Sequence, residues 1–185
     1  IVMFPMVTEV SEFHRAKALL LREAAAAEKP PSNLVCGGML EVPALLFQLD
    51  QLFAAVDFVS IGSNDLLQFL FATDRGNPAL ARRYEATSPT GLRLFSEIAS
   101  RAAAAGVPLS LCGETAASPL EAMMLVGCGL RSLSMPPAAV APVKTMIRSL
   151  DVGHLTRFLE SCRALETSSL RPLLTAYARD HGVEF

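Results

Sequence analysis

Several features are scarce in this chain of 185 residues, and each scarcity removes a class of function. Charged residues make up only 18% and the formal net charge is -2. No basic run exceeds the pair Arg82-Arg83, so the electrostatic footprint that nucleic-acid binding needs is missing. The longest apolar stretches, 107–112 and 122–126, fall far short of the roughly 20 residues that span a bilayer, and no membrane partner is expected. The chain opens at Ile1 with no Met, basic region or cleavage signal, which reads as the interior of a longer gene product. Cysteine occurs only at 36, 112, 128 and 162, with no C-x-x-C pair and no zinc spacing; free thiols in a cytoplasmic protein are expected. Neither a GxGxxG fingerprint nor a Walker loop is present, so dinucleotide and ordinary ATP binding lack support. The three histidines, His14, His154 and His181, fall on expected helices and read as surface or helix-end residues.

What is abundant is apolar surface. At 51% hydrophobic, the chain can build one domain that buries about 70% of its unfolded surface. Short apolar runs alternate with longer helical ones. Strands are expected at 1–4, 34–40, 57–61, 107–112 and 130–134. Helices are expected at 9–28, from Pro43 to about 54, and at 64–72, 90–105, 119–126, 137–150, 151–164 and 168–180. A long polar loop covers 73–89, with one short helix near 79–83. This alternation, with strands apolar on both faces, predicts an α/β fold with a parallel sheet. Five such units suit an open doubly wound sheet or the last part of an eight-stranded barrel, and pattern alone does not separate the two. Residues 1–150 carry the βα units, and the two helices of 151–185 are expected to complete the same domain.

Polar residues gather where the strands end. Pro5 and Met6 follow the first strand, Glu41 the second, Gly62-Ser63-Asn64-Asp65 the third and Cys112-Gly113-Glu114 the fourth. In parallel folds that edge carries the active site. Glu41 and Asp65 are two carboxylates on neighbouring strand ends, a set that suits Mg²⁺ sharing its shell with water and phosphate. Asp65 alone would serve equally well as a helix cap. Gly62-Ser63-Asn64 before it permits close backbone approach and lines up N–H groups at a helix start, as an anion site requires. Arg75, in Asp74-Arg75-Gly76-Asn77, could hold phosphate bidentately, although a lone loop arginine is more often a solvated charge. Cys112 sits at the open end of its strand; whether it acts as nucleophile or proton donor is not decided by position. Cys36, Cys128 and Cys162 read as structural.

These blocks, in order, resemble enzyme I of the bacterial phosphotransferase system, in particular its C-terminal phosphoenolpyruvate-binding barrel. The matching blocks are Ile1-Val2-Met3-Phe4-Pro5-Met6, Gly38-Met39-Leu40-Glu41-Val42-Pro43-Ala44, residues 56–66, Asp74-Arg75-Gly76-Asn77 and Leu111-Cys112-Gly113-Glu114. Residues 60–71 and 130–135 look closest to the nitrogen-related paralogue, PtsP. Pyruvate phosphate dikinase and phosphoenolpyruvate synthase share the barrel and are an alternative. The resemblance implies a (β/α)₈ TIM barrel of which this chain supplies strands four to eight. It implies Mg²⁺ on Glu41 and Asp65, phosphoryl contacts from Asn64, Asp65 and Arg75, and Cys112 as the acid that turns enolate into pyruvate. It further implies phosphoryl transfer from phosphoenolpyruvate to a histidine outside this chain, then to an HPr-like phosphocarrier protein, in a homodimer. A second reading, from another class, is a dimerising or regulatory module without chemistry of its own. It rests on the apolar faces of the two terminal helices (Leu155, Phe158, Leu159; Leu170, Leu173, Leu174, Tyr177) and on an open strand edge at Ile1.

Overall fold

The computed structural model describes residues 1–74, 76–77, 80 and 85–185. Arg75 and the short helix expected near 79–83 lie outside the described residues. The elements run β1 (Val2–Phe4), α1 (Val10–Ala26), β2 (Cys36–Leu40), a 3₁₀ helix (Pro43–Gln48), α2 (Leu49–Ala55), β3 (Phe58–Gly62), α3 (Ser63–Leu70), α4 (Pro89–Ala105), β4 (Leu109–Cys112), α5 (Glu114–Ala117), α6 (Pro119–Gly127), β5 (Leu133–Ser134), α7 (Pro137–Arg148), α8 (Val152–Cys162) and α9 (Arg171–Asp180).

Every strand pair is parallel, and the spatial order is β1-β2-β3-β4-β5. A doubly wound sheet reverses its strand order at a switch point. This one never reverses, so its chain path is that of consecutive strands in a βα barrel. Right-handed crossovers between sequential parallel neighbours put all the covering helices on one face. The side chains agree. A Cβ on Gly38 would meet Leu52, Val56 and Phe13 from the helices, and Val59, Ile61 and Leu111 are fully buried on that side. On the opposite face Phe58 lies across Gly37, where a Cβ would be 2.4 Å from its ring. Met39 and Ser60 share that face by register, two residues beyond the Gly37–Phe58 pair, and Gly62 and Cys112 another two residues on.

Local chemistry explains most boundaries. Glu9 and Glu12 form a reciprocal capping box at the start of α1. Ser88 caps α4 by accepting from the Gly91 N–H at 3.1 Å, and Gly106, at φ +68°, ends it. Several boundaries shift by a few residues, β5 to Leu133–Ser134 and the start of α9 to Arg171 among them, and two elements differ in kind from the sequence reading. The helix expected from Pro43 is split, its first part winding as 3₁₀, a common tightening at helix ends. The four-residue α5 was not anticipated, because four residues carry no readable period. The terminal helices turn inward. Leu155 and Leu159 of α8, and Leu170, Leu174 and Tyr177 at α9, belong to the same buried cluster as Phe13, Leu66 and Phe95. Their apolar faces are therefore core, and Leu173 is left 39% exposed.

Candidate functional site

Glu41 stands directly after β2 and is only 4% exposed. An isolated carboxylate there would be costly. Its Oε1 accepts the backbone N–H of Met6 at 2.7 Å. Met6 presents that N–H from a left-handed conformation, φ +53°, which is strained for a residue with a side chain. The turn after β1 is thus bent to serve the carboxylate at the end of β2. The other carboxylate oxygen lies against β3: a Cβ built on Gly62 would be 2.7 Å from Glu41 Oε2 and 2.8 Å from Glu41 Cβ. Gly62 is glycine because Glu41 occupies the space of a side chain.

Gly62 also caps α3, whose first turn holds Ser63, Asn64 and Asp65. Ser63 is fully buried, and its hydroxyl donates to the Cys112 carbonyl at 2.9 Å. Asn64 Oδ1 accepts the Glu114 N–H at 3.2 Å, so the donor end of its amide is the NH₂ group. Gly113 makes this approach possible. It adopts φ +118°, and a Cβ there would meet Ser63 Oγ at 2.5 Å and Asn64 Oδ1 at 2.9 Å. Two successive loops, after β3 and after β4, are therefore stitched together by Ser63, Asn64 and two glycines.

Cys112 is half-buried. Its thiol lies 3.5 Å from the Ile61 carbonyl and receives the Ser60 hydroxyl at 3.7 Å. A cavity of about 410 Å³ opens beside it, lined by Asn64, Cys112, Gly113, Glu114, Ala117 and Met135 among others. The remaining thiols are placed differently. Cys36 and Cys162 are buried, and desolvation pushes the Cys128 thiol up to about 11. A larger cavity, about 830 Å³, lies between β5 and α7. Its lining is mostly apolar, with Arg131, Lys144 and Arg148 and no carboxylate or thiol, so we place the site by its chemical groups and not by volume.

Glu41, Asn64, Asp65 and Cys112 all stand at the carboxyl ends of β2, β3 and β4, as the sequence reading expected. The register brings Leu40 beside Ile61 and Gly62 beside Cys112. The sequence did not reveal the Ser60 and Ser63 contacts to Cys112 or the bond from Glu114 to Asn64. Their only signal was their place in the strand-end turn. Among the described residues no group of three or more His, Cys, Asp or Glu could hold a metal ion. A metal on this edge would have to take Glu41 and Asp65 and complete its shell from water or substrate oxygens.

A sequentially wound parallel sheet with carboxylate, amide and thiol collected at its strand ends is the arrangement that βα-barrel enzymes use. Residues 1–152 match the family model of the PEP-utilising enzyme, PEP-binding domain, and the chain belongs to that family. It is 39% identical to the "Phosphoenolpyruvate-dependent phosphotransferase system" protein of Salmonella typhimurium, over 98% of this chain and 25% of the relative. It is 36% identical to the phosphoenolpyruvate-protein phosphotransferase of Latilactobacillus sakei, over 91% of this chain and 30% of the relative. For the phosphotransferase of Bacillus subtilis the figures are 34%, 90% and 30%. The chain thus spans between 25% and 30% of the length of these relatives.

Proposed function

We propose that this chain forms the substrate-binding edge of a phosphoenolpyruvate-protein phosphotransferase. The reaction moves the phosphoryl group of phosphoenolpyruvate to an enzyme histidine and on to an HPr-like phosphocarrier protein, releasing pyruvate. The observation that carries this reading is the convergence of Glu41, Asn64 and Cys112 on three adjacent strand ends, interlocked through Gly62 and Gly113. The names of the relatives support the same substrate. The residues present suit Mg²⁺: a buried carboxylate with one oxygen held by a backbone N–H, and a second carboxylate in the first turn of α3. Bound there, Mg²⁺ would offset charge on the phosphoryl oxygens.

Each protein group then has a task. The Asn64 amide, its carbonyl already fixed by Glu114, donates to the phosphoryl group, and the start of α3 adds backbone N–H groups toward it. Arg75 contributes a guanidinium to the same oxygens. Cys112, aimed from the end of β4, delivers a proton to the methylene carbon of the enolate. The protein acts as a homodimer in the cytoplasm, in the nitrogen-related branch. No helix among the described residues is long and apolar enough to cross a membrane.

Calorimetric titration of the chain with phosphoenolpyruvate tests the reading directly. Binding is expected with Mg²⁺ and not with EDTA. Glu41→Ala or Asp65→Ala should each weaken it by about 10–100-fold, the worth of one or two charge-assisted contacts. Binding that ignores both the metal and these carboxylates would sink the assignment.

A further inference from the structure

Ser60 lies in the middle of β3, on the face it shares with Met39 and Cys112 and away from the helices. It is buried, at 7% exposed. Inward positions of barrel strands usually carry branched aliphatic side chains, which ask for no partner. A buried hydroxyl does ask for one. The register sets Ser60 beside Ser110 and Gly62 beside Cys112, so Ser60 and Cys112 are diagonal neighbours on one face. The two strand serines bond differently. The Ser110 hydroxyl donates to the Val59 backbone carbonyl at 3.5 Å. The Ser60 hydroxyl donates to the Cys112 sulfur at 3.7 Å, and it makes no other hydrogen bond among the described residues.

That choice of partner is informative. A neutral thiol sulfur is a weak acceptor. A thiolate is a strong one, because a bond to an ionised acceptor is roughly twice as strong. The Ser60 hydroxyl is therefore poorly satisfied while Cys112 keeps its proton and well satisfied once the proton has gone. The proton has its own place, since the thiol donates to the Ile61 carbonyl at 3.5 Å. The main chain of Cys112 is held separately, its carbonyl accepting the Ser63 hydroxyl at 2.9 Å. Both protonation states of the sulfur thus meet a group that is already in position.

We propose that Ser60 is a positioning residue for proton transfer at Cys112, its hydroxyl holding the sulfur and stabilising the thiolate that remains when the proton leaves. The role rests on the substrate reading given above. In that step the Cys112 S–H bond breaks and its electron pair stays on sulfur. The C=C pair of the enolate takes the proton to form a C–H bond, and the enolate oxygen restores the keto group of pyruvate. Negative charge appears on sulfur beside a donor already aimed at it, so little has to reorganise.

Alkylation tests the hold on the sulfur without any substrate. Iodoacetamide reacts with the thiolate, and peptide mass mapping reads Cys112 apart from the other three cysteines. Near pH 8, Ser60→Ala should slow alkylation of Cys112 by about 3–10-fold, one charge-assisted bond less the greater nucleophilicity of a less stabilised thiolate. Toward about pH 11 the deficit should vanish, because the thiol is then ionised in both proteins. Ser60→Thr keeps the hydroxyl and should retain most of the parent rate. A second arm reads the proton step itself. With Mg²⁺ in heavy water the chain should exchange the methyl protons of pyruvate, the same transfer in reverse, which needs no phosphate acceptor. Proton NMR should show that exchange slowed by about threefold in Ser60→Ala. If Ser60→Ala does not fold, Ser60→Gly, which also lacks the hydroxyl and adds no bulk, takes its place. An unchanged alkylation rate near pH 8, a loss that is equal at every pH, or a Ser60→Thr chain that behaves as Ser60→Ala overturns the proposal. If the parent exchanges no pyruvate protons, the substrate reading of Cys112 has failed and the role of Ser60 in that step fails with it, whatever alkylation shows. If the parent exchanges them and Ser60→Ala does so as fast, the positioning role alone has failed.

Discussion

At Gly62 two effects can be weighed residue by residue. Its φ of -84° is open to any amino acid, so an alanine there carries no backbone penalty. The obstacle is steric: the new Cβ would stand 2.7 Å from Glu41 Oε2 and 3.1 Å from Met39 Sδ. Gly62→Ala should therefore destabilise by about 1–3 kcal/mol, as overpacking does, and should also displace the carboxylate. In the double variant with Glu41→Ala the space is free, and the cost of the second change should shrink. Denaturant unfolding of the four proteins measures that coupling; strictly additive losses would mean that the two residues do not press on each other. The cysteines offer a parallel test. Native chain treated with iodoacetamide near pH 8 should be modified at Cys112 first, since Cys36 and Cys162 are buried and the Cys128 thiol is pushed up to about 11. Phosphoenolpyruvate with Mg²⁺ should slow the reaction. Peptide mass mapping that finds Cys128 labelled as fast as Cys112 would contradict this placement.

The same reasoning extends to whole elements, where the loop before α4 is the tightest joint. A Cβ on Gly91 would fall 2.0 Å from the Ala86 carbonyl oxygen, and backbone has no rotamer by which to yield. Gly91→Ala should cost about 3 kcal/mol, the upper end of overpacking, and shift the segment that Arg171 holds. Acid should loosen that segment as well. Burial raises the Glu85 carboxyl, but hydrogen bonds from Ser169, Thr87 and Arg171 outweigh it and leave it below its ordinary value of 4.5. Facing it are the cation Arg171 and, through Arg171, Glu121. A depressed carboxylate adds stability that is complete above pH 4.5 and fades as pH falls through the lowered value. Thermal melts of the parent and Glu85→Gln should thus converge in acid and separate above about pH 5. How much of this was legible beforehand depended on chain distance. Glu41, Asn64 and Cys112 announced themselves because each directly follows an apolar run. The stop at Gly106 was readable because only a left-handed residue was needed. The Arg171 network was not, because its partners are 50 and 86 positions away in the chain and no periodicity marks them. Likewise α5 was too short to show a pattern.

For the molecule as a whole, strand order settled a choice that composition had left open, since doubly wound and barrel sheets share the same alternation of elements. Sequential order places the helices on one face and leaves Met39, Ser60 and Cys112 on the other, with the proposed site at the strand ends. That geometry bears on turnover. Phosphoryl transfer needs an acceptor in line with the leaving oxygen. His14 sits on α1 beside Phe13, at 6.2 Å between ring centroids, in the helical layer. His154 Nδ1 pairs with the Tyr177 hydroxyl at 3.1 Å, and His181 Nδ1 with the Tyr177 carbonyl at 2.8 Å, so both are committed to the α8–α9 contact. None of the three stands among the groups around Cys112. The chain incubated with phosphoenolpyruvate and Mg²⁺ should therefore bind its substrate without consuming it. Phosphorus NMR should show the substrate resonance broadened and undiminished, with no phosphohistidine signal and no pyruvate in a coupled assay. Pyruvate release by this chain alone would require an acceptor at the strand ends, and phosphate found on His14, His154 or His181 would refute the placement of the reactive edge.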